Sequence, residues 1–352
     1  NSAVDGYAII KTDLIKNKTL SCSKKIVAGD DKVIKIKKGE VIRIFTGAKM
    51  PSNSSTIVMQ ENVIKKDNKI ILLKVPKLGE NYRLKGEDIK KNKIILKKGN
   101  IINQQNINLI AAVGITKVKV FKKIQIGYFT SGNELRLPTT KLKNSQINNS
   151  NYVSLHSLLN LNFIAKHYCG NLQDNYKEVK RKLLKSSKRF SVIITAGGAS
   201  VGDEDHLLSV LSKVGKIFFW KAAIKPGRPI AVSKINKTFV VCLPGNPVSV
   251  QLLFAMLINP FIKSLAGGKF DIPKSELIYS AFTMKKKTKR MEWLRVTKKR
   301  IKNKNYALKF SKQGSGMISS ISYSDGIIEI PEDVSQIKKG DIFEFYSFEN
   351  IF

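Results

Sequence analysis

The stretch Phe190-Ser191-Val192-Ile193-Ile194-Thr195-Ala196-Gly197-Gly198 has the pattern of a buried strand that runs into a glycine loop. A short apolar run bounded by glycine is typical of a strand that is covered on both faces. We expect a helix from Asp203 to about residue 214 after it, and a second apolar strand at 239–243. Strands that alternate with helices predict an α/β domain with a parallel sheet.

Similar signals extend this domain over residues 123–271. The further predicted strands and helices are a strand at 124–129, strands at 217–220 and 230–232, and helices at 150–161, 175–187 and 247–258. Ser150, Asp174 and Asp203 are the expected N-caps of three helices. Asn246 followed by Pro247 supplies the N-cap and first-turn proline of the last one.

The regions on either side of this domain are predicted to be β-rich. Residues 1–88 alternate polar and apolar side chains between turn signals, as at 32–37 and 70–75, which indicates a small barrel or sandwich. Residues 89–122 form a connector, with a helix at 104–113 that ends at Gly114 and a strand at 116–121. Residues 272–352 predict a C-terminal barrel, with strands at 292–297, 306–310, 326–330 and 341–345.

The charge of the chain is strongly positive. It has 63 Lys and Arg against 26 Asp and Glu, a net charge of +37. The lysines are spread along the chain without a nucleic-acid motif, and the abundance of Lys, Asn and Ile indicates an AT-rich coding bias. A nucleic-acid binder therefore remains an alternative on charge alone, and it would have to bind duplexes at physiological salt.

The cysteines and histidines do not form a recognisable framework. Cys22, Cys169 and Cys242 are far apart, and the three histidines lack the spacing of metal ligands. The longest apolar run, 248–262, is interrupted by polar residues and is shorter than the roughly 18–20 residues that span a bilayer. We expect a protein of the reducing cytoplasm with no membrane partner.

Three glycine-containing loops follow predicted strands of the α/β domain, at 130–135, 196–205 and 243–249. Ligands of open α/β sheets bind at the carboxyl ends of the strands. Glycines let a phosphate approach backbone N–H groups at a helix N-terminus. The three loops predict a pocket for an oxyanion or nucleotide, although a tight turn can require glycine for packing alone.

Acidic residues flank two of these loops. Glu134 lies near the end of the first, and Asp203 and Asp205 lie at the end of the second. Carboxylates beside phosphates commonly hold a divalent metal. Alternatively, these residues only stabilise their own helices. Asp203 and Asp174 are good N-caps, and Asp205 suits the dipole of a first helical turn.

The stretch 220–229, Trp-Lys-Ala-Ala-Ile-Lys-Pro-Gly-Arg-Pro, concentrates positive charge on a stiff element. If 221–225 is extended, Lys221 and Lys225 share one face. Pro226 and Pro229 would stiffen the turn that presents Arg228. Three cations so placed suit a phosphate or an oxometallate, whereas a chance pair of lysines is the alternative in so lysine-rich a chain.

Taken in order, these strings resemble the MoeA family of molybdopterin molybdenumtransferases, which includes the E domain of gephyrin. The resemblance covers essentially the whole chain. Its markers are residues 2–8, 43–48, 86–88, 130–135, 197–205, 225–229 and 243–249.

The resemblance implies a β-rich lobe, an elongated connector, a molybdopterin-binding α/β domain and a C-terminal β-barrel. It implies a homodimer whose cleft lies between the α/β domain of one subunit and the β-rich lobe of the other. Family members begin with a further segment, so the chain would be a fragment whose connector that segment completes. The implied reaction inserts molybdate into adenylylated molybdopterin, assisted by Mg²⁺, with release of AMP.

By motif match, the resemblance also implies a set of functional residues. The catalytic set is Asp5, Thr46, Asp88, Glu134, Asp174, Asp205, Lys221, Lys225 and Arg228. The set that holds the nucleotide and the pterin phosphate is Ser131, Gly132, Gly197, Gly198, Ser200, Pro226, Gly227, Pro244, Gly245, Asn246, Pro247 and Ser249. The cations would bind molybdate or phosphate, and Glu134 and Asp205 would bind the metal or orient the substrate.

Two departures from the family pattern replace carboxylates by amides. Asn133 and Asn149 stand where the family usually has Asp, and Val4 stands where it usually has Met. If either Asp is a metal ligand in the family, metal affinity should be lower in this chain.

Two other functions remain as alternatives, one in the same pathway and one non-enzymatic. One is the molybdopterin adenylyltransferase step, which a related α/β domain performs without flanking β lobes; that enzyme is also an expected partner. The other is a gephyrin-like scaffold, against which the presence of Asp205, Lys221 and Lys225 argues.

Overall fold

The computed structural model describes residues 1–198 and 206–352. The chain divides into two compact units, Asn1–Ile95 and Leu96–Phe352. Because Ser200, Asp203 and Asp205 lie outside the described residues, their predicted roles stay predictions.

The N-terminal unit is built on one curled sheet. Its strands are β1 Gly6–Ile9, β2 Thr19–Ile26, β3 Glu40–Ile44, β4 Thr56–Met59, β5 Val63–Lys66 and β6 Lys69–Leu72, with 3₁₀ turns at Lys11–Asp13 and Gln60–Asn62. The strand order is β4-β1-β3-β2-β6-β5. Tyr7 and Ile9 belong to one apolar cluster and Ala8 to another, so both faces of the sheet carry a core. The β-rich lobe is confirmed as a curled sheet rather than a sandwich.

The predicted strand at 32–37 is wrong, because a side chain occupies the place of a partner strand. Asn53 accepts from the N–H of Ile36 at 2.9 Å and donates to its carbonyl at 2.7 Å. Ile36 is buried by this contact while Val33 is 74% exposed. The alternating pattern therefore marks a segment that is held by hydrogen bonds at Ile36 but forms no strand.

The connector contains the predicted helix, α1 Gln104–Ala112. Asn103 and Asn106 form a reciprocal capping box at its start, and Gly114 follows its end with φ +76°. The predicted strand at 116–121 is wrong: these residues form no strand, and Val120 is 70% exposed. No described strand pairs with them, and an isolated strand has no partner for its backbone groups.

The α/β domain contains most of the helices. Its elements are β7 Ile124–Ser131, β8 Leu135–Arg136, β9 Ile147–Asn148, α2 Ser150–Leu158, β10 Ile164–Leu172, α3 Tyr176–Ser187, β11 Val192–Ala196, α4 His206–Val214, β12 Lys216–Trp220, β13 Ile224–Lys225, β14 Ala231–Ile235, β15 Thr238–Leu243, α5 Pro247–Leu253 and α6 Asn259–Leu265. A π-helical segment, Phe254–Ile258, joins α5 to α6.

The main sheet has the order β10-β7-β11-β15-β14-β12. The first four strands are mutually parallel, as predicted, whereas β14 is antiparallel to both of its neighbours. The connection from β14 to β15 has only Asn236 and Lys237, with Asn236 at φ +52°. A two-residue connection of this kind forms a hairpin, since a parallel crossover needs about a dozen residues.

The helices cover both faces of this sheet. Leu155 of α2 and Leu253 of α5 lie in one core cluster, and Leu183 of α3 and Leu211 of α4 lie in another. Strand β10, which the sequence interpretation missed, forms the edge beyond β7. Its residues are mostly half-buried, and lysine and histidine interrupt its apolar pattern.

Two of the predicted N-caps are displaced by one residue. Asn149, rather than Ser150, caps α2 by accepting from the N–H of Tyr152 at 3.0 Å. Asn175, rather than Asp174, caps α3 by accepting from the N–H of Glu178 at 3.0 Å. In both cases an asparagine adjoins the predicted residue and provides the same acceptor geometry.

The helical run Pro247–Leu265 extends beyond the predicted end at 258. By length and composition this run could span a membrane, with a mean hydropathy of 1.5, but 61% of its most apolar stretch is buried inside the protein. The core helix of a protein can have the same length and composition. Val250, Leu252 and Leu253 are fully buried in the sheet-facing core, which accounts for the apolar composition.

The C-terminal region is a closed barrel, as predicted. Its elements are β16 Glu276–Ser280, β17 Met284–Lys285, β18 Met291–Ile301, β19 Lys304–Lys309, α7 Ser319–Ser322, β20 Gly326–Ile330, β21 Gln336–Ile337, β22 Ile342–Ser347 and α8 Phe348–Ile351. The order β18-β19-β16-β22-β20 closes through the pairing of β20 with β18. Strand β13 also pairs with β18, which attaches the barrel to the α/β domain.

Candidate active site

The three predicted glycine loops lie at one edge of the main sheet. Thr130, Ala196 and Leu243 stand side by side at the ends of β7, β11 and β15. Helices α2 and α4, which follow β7 and β11, cover opposite faces of the sheet, so the topology switches between these two strands. This is the position where open α/β sheets bind ligands.

Close backbone packing joins the three loops. Gly197 has φ +97°, and a Cβ atom there would lie 2.6 Å from the carbonyl oxygen of Ser131. Gly198 faces the Ser131 hydroxyl, and Gly245 faces the Cα atom of Gly197. The structure therefore brings Ser131, Gly132, Gly197, Gly198 and Gly245 together as predicted.

A buried polar network lies directly beneath this edge. The Thr130 hydroxyl donates to Asn171 Oδ1 at 3.0 Å and accepts from Asn149 Nδ2 at 2.9 Å. Asn171 Nδ2 donates to the carbonyl of Gly132 at 2.7 Å. Asn149 is thus an N-cap and a donor to Thr130, a role that its amide can fill and a carboxylate cannot.

Glu134 folds back over the first loop. Gly132 has φ +146°, and a Cβ atom there would lie 2.6 Å from one Glu134 carboxylate oxygen. Glu134 and Asn133 are both exposed. Glu134 is held through its backbone, since its carbonyl accepts from Ile147 at 3.0 Å. The carboxylate is therefore accessible to a ligand at the switch point.

A preformed metal centre is absent from the described residues, which contain no group of three His, Cys, Asp or Glu side chains. Mg²⁺ is usually held by one or two carboxylates together with substrate phosphates. An exposed Glu134 carboxylate, next to glycine loops that a phosphate can approach closely, fits that donor set. Asp205, the second predicted ligand, lies outside the described residues.

Asp174 lies just beyond the end of β10, at the same edge of the sheet. It is exposed and precedes the N-cap of α3. Since Asn175 already caps that helix, the capping explanation for Asp174 no longer applies.

The cationic stretch forms a folded loop rather than an extended segment. Lys221 has φ +70°, and its N–H donates to the carbonyl of Ile230 at 2.9 Å. The N–H of Ala222 donates to the carbonyl of Arg228 at 3.0 Å. The premise that Lys221 and Lys225 share a strand face is wrong, because a left-handed residue breaks the strand at its start.

The cations of this loop are nevertheless displayed to solvent. Lys221 lies over the Trp220 ring, with Nζ 3.9 Å from its centroid, and Arg228 is exposed. Lys225 forms an ion pair of 2.8 Å with Glu292 and keeps 53% of its side chain exposed. Pro226 and Gly227 are buried beneath them, and Gly227 at φ +115° packs on Leu253. Pro226 follows a cis peptide bond.

The register places this loop at the same edge as the glycine loops. Trp220 pairs with Ala231, which pairs with Cys242 of β15. Strand β12 therefore runs parallel to β15, two strands away, a separation of about 10 Å. The structure thus places the cationic loop and the glycine loops at one edge of the sheet. From the sequence, only the family resemblance linked them.

The last glycine loop leads into α5. Pro247 is the first residue of that helix, Asn246 precedes it without a side-chain capping bond, and Ser249 is buried. Pro244 follows the end of β15 directly. The N–H of Val248 donates to the carbonyl of Ser315, at 3.1 Å. The first turn of α5 is therefore partly satisfied by the C-terminal barrel.

The sequence interpretation missed this contribution of the barrel. Glu292, which pairs with Lys225, is only 7% exposed. Arg295 is buried, and it donates to the Ser320 hydroxyl and the Gly314 carbonyl beside the loop that contacts α5. Burial lowers the pKa of Arg295 to about 10. Charged residues inside an otherwise apolar strand were the available signal.

In the N-terminal unit, the structure unites two of the three predicted residues. The backbone N–H and the hydroxyl of Thr46 both donate to Asp5 Oδ1, at 2.8 Å each. These bonds hold the pKa of Asp5 below its ordinary value. Asp88 is exposed at a bend after Gly86, and the structure records no contact between it and the pair.

Three family models match the chain in succession. The MoeA N-terminal region (domain I and II) matches residues 1–114, a probable molybdopterin binding domain matches 127–264, and the MoeA C-terminal region (domain IV) matches 278–348. The chain belongs to the MoeA family. The family predicted from the sequence motifs is thereby confirmed, and the switch-point loops lie inside the domain described as molybdopterin-binding.

Curated relatives and solved structures agree with this assignment. The chain is 34% identical to the molybdopterin molybdenumtransferase of Haemophilus influenzae, over 84% of this chain and 74% of the relative. It is 31% identical to a molybdopterin biosynthesis protein of Methanocaldococcus jannaschii, over 98% and 84%. A MoeA structure from Pyrococcus horikoshii superposes with a TM-score of 0.82 at 26% identity, covering 99% of this chain and 87% of that one.

Proposed function

We propose that this MoeA-family chain is a transferase of molybdenum cofactor biosynthesis that inserts molybdate into adenylylated molybdopterin and releases AMP. The observation that carries the proposal is the convergence of the glycine and cationic loops at one sheet edge. Both reactants are anions, so a site for them needs backbone donors and positive charge together. The name molybdopterin molybdenumtransferase, borne by several curated relatives, supports the same reaction.

The residues at this edge would have different roles according to their charge. The loop backbone around Gly197, Gly198 and Gly245, where Gly245 is exposed and Gly198 half-buried, would receive the phosphate groups of the substrate. Lys221, Lys225 and Arg228 would attract molybdate and stabilise negative charge as the phosphoanhydride bond breaks and AMP leaves. Glu292 would hold Lys225 in place, while about half of the Lys225 side chain stays exposed to a ligand.

Mg²⁺ would be held by Glu134 and Asp205 together with the substrate phosphates. When bound, it would neutralise part of the phosphate charge. Asn133 and Asn149 would leave that role to the remaining carboxylates, in keeping with the structural role of the Asn149 amide.

We further propose a cytoplasmic homodimer. Apolar side chains on α1 and after it are exposed, among them Ile107 at 58% and Val120 at 70%. Exposed apolar surface of this kind is typical of an interface. A second copy would cover it, and Asp5 with Thr46 from one copy would complete the site of the other. The adenylyltransferase that makes the substrate would be a transient partner. A monomeric mass in light scattering would contradict the dimer.

The decisive measurement is AMP release from adenylylated molybdopterin, with and without molybdate and Mg²⁺. Release that depends on molybdate supports insertion. Release that does not depend on molybdate would contradict insertion, and tight binding without turnover would favour a scaffold.

Lys225→Ala tests the assignment of the site. We expect the variant to lose AMP release by about 100-fold or more, because a group that stabilises transition-state charge is worth that much. Lys237→Ala is the matched control, since Lys237 lies in the β14–β15 turn at the opposite sheet edge. Equal activity in the two variants would refute the placement of the site.

A further inference from the structure

A second basic cavity lies outside the candidate active site, along the open edge of the main sheet. It has a volume of about 540 Å³ and is bounded by β10, α3 and the aromatic rings of Phe129 and Phe190. The positively charged residues that line it are Lys166, Arg181, Lys182, Lys185 and Arg189. All of its lining residues lie in the described part of the chain, and none is acidic. We call this cavity the edge groove.

The spacing of residues on α3 builds one wall of the edge groove. Arg181 and Lys185 are four residues apart on α3, which places them on one side of the helix, and Arg189 follows shortly after the helix ends at Ser187. Val179 and Leu183 point from the same helix into the core. Arg181 and Lys185 are thus about 6 Å apart along the helix axis at 1.5 Å per residue, and the packed side of the helix fixes their orientation.

Most of this charge lacks a counterion. Lys182 pairs with Glu178 at 2.7 Å, whereas Lys166, Arg181 and Arg189 form no ion pair with any described residue. Lys185 likewise has none there. Lys166 lines the edge groove, but its Nζ donates to the carbonyl of His156 on α2 and to Asn160 Oδ1, so its charge lies towards the opposite face of the sheet from α3. A concave wall of one sign backed by aromatic rings concentrates anions.

Another cavity of this lysine-rich chain has a mixed lining, unlike the edge groove. A comparable concavity beside the C-terminal barrel is lined by Lys298 and Arg300, but also by Glu276, Asp325 and Glu349. Its charges are nearly balanced, even though the same excess of lysine surrounds it. Uncompensated positive charge is therefore not common to every concave surface of this chain.

We propose that the edge groove is a second binding site, for a compact anion that carries two or more linked phosphate groups. Its volume falls within the range of small-molecule sites. Two arginine forks suit bidentate contacts with phosphate oxygens. A free polyphosphate and the phosphate tail of a nucleotide share this chemistry. The site is independent of the proposed insertion reaction.

The edge groove also contacts the structure that supports the first glycine loop. Lys182 Nζ donates to the carbonyl of Asn171 at 2.8 Å, and Asn171 Nδ2 donates to the carbonyl of Gly132. An anion that draws the Lys182 ammonium away would break its hydrogen bond to Asn171. Asn171 is the residue whose side chain holds the Gly132 carbonyl at the active-site edge. Occupancy is therefore expected to change the exchange rate of the Gly132 amide, which donates to the carbonyl of Leu172, the residue after Asn171.

The test is the binding of labelled inorganic pyrophosphate to the full chain, by equilibrium dialysis at about 150 mM salt, where long-range attraction is screened. The triple variant Arg181→Gln, Lys185→Gln, Arg189→Gln should bind at least about tenfold more weakly. The matched control Lys32→Gln, Lys35→Gln, Lys37→Gln removes the same charge from an exposed segment of the N-terminal unit and should stay within about twofold of wild type. Equal losses in both variants, or no binding by wild type, would overturn the proposal.

A second measurement locates the ligand even if the triple variant is unstable. Cys169 lines the edge groove, whereas Cys22 lies in the N-terminal unit, and both thiols are half-buried. Saturating pyrophosphate should slow alkylation of Cys169 and leave Cys22 unchanged. Lys225→Ala should retain this protection, which separates the edge groove from the active site. Protection lost with Lys225, or absent for Cys169, would contradict the proposal.

Two further ligands identify the source of the phosphates. ATP that competes as well as pyrophosphate would support a nucleotide tail, and pyrophosphate that competes alone would support a free polyphosphate. AMP, with a single phosphate, should compete at least about tenfold more weakly. Equal competition by AMP would contradict the requirement for linked phosphates.

Discussion

The ionisation state and orientation of Asp5 are set by hydrogen bonds from Thr46. Two donors from Thr46 meet one of its carboxylate oxygens, and they favour the ionised form. The carboxylate is therefore negatively charged throughout the physiological range, and its direction is set before any ligand binds.

Thr46→Val should raise the pKa of Asp5 towards its ordinary value, because the hydroxyl donor is lost. A lowered folded pKa contributes stability that is present above the unfolded pKa and lost as pH falls through the folded one. The variant should therefore be less stable than wild type at neutral pH, and the difference should shrink in acid. Carboxyl NMR titration and urea unfolding at both pH values measure these effects.

Thr46→Ser is the control for this prediction, since it keeps the hydroxyl and loses only a methyl group. It should titrate like wild type. An unchanged Asp5 pKa in Thr46→Val would mean that the backbone N–H alone lowers it.

Among the elements, the turn after β11 depends most directly on glycine. Gly197 combines a left-handed φ with the close approach of the Ser131 carbonyl. A side chain there meets both a conformational and a steric cost.

Gly197→Ala should therefore reduce the free energy of unfolding by more than the left-handed conformation alone requires. Gly340→Ala is the matched control: it has φ +96°, nearly the same as Gly197, but nothing lies within 4 Å of the added Cβ. We expect the control to cost about 1 kcal/mol and Gly197→Ala to cost about 1–3 kcal/mol more. Denaturant unfolding measures both, and equal costs would show that the loops relax apart freely.

At the scale of the whole molecule, the barrel and the α/β domain share a core. Trp293, Ile327 and Tyr346 of the barrel belong to the same buried cluster as Leu253 and Val248 of the α/β domain. Strand pairing between β13 and β18 reinforces this join. The active-site edge is thus supported from two domains within the unit Leu96–Phe352.

Leu253→Ala should consequently loosen the barrel as well as the helix that carries it. Removal of this buried side chain should cost about 2–5 kcal/mol of stability. Amide hydrogen exchange should show lower protection at Ile327 and Tyr346. Leu183→Ala, in the cluster on the other sheet face, is the control of the same residue type and should affect these amides less. Barrel amides that respond equally to both changes would argue against a shared core.

Local patterns account for the parts that could be predicted. The strands 124–129, 239–243 and 326–330 are confirmed because their apolar runs end at turn residues. The N-caps of α2 and α3 were predicted to within one residue, since neighbouring asparagines compete for the same capping geometry. The strands at 32–37 and 116–121 failed because alternation describes a strand only where a partner strand exists. The predicted domain boundaries remain predictions.

The sequence by itself determined the family, the three glycine loops and the cations at 221–228, because these features are contiguous in the chain. It also determined that the loops after the parallel strands would meet, since parallel strands share a carboxyl edge. Only the tertiary structure decided that β14 reverses direction, that Glu292 pairs with Lys225, and that β10 leaves a basic groove at the sheet edge. Such contacts join residues distant in the chain through sheet order and register, which local periodicity does not encode.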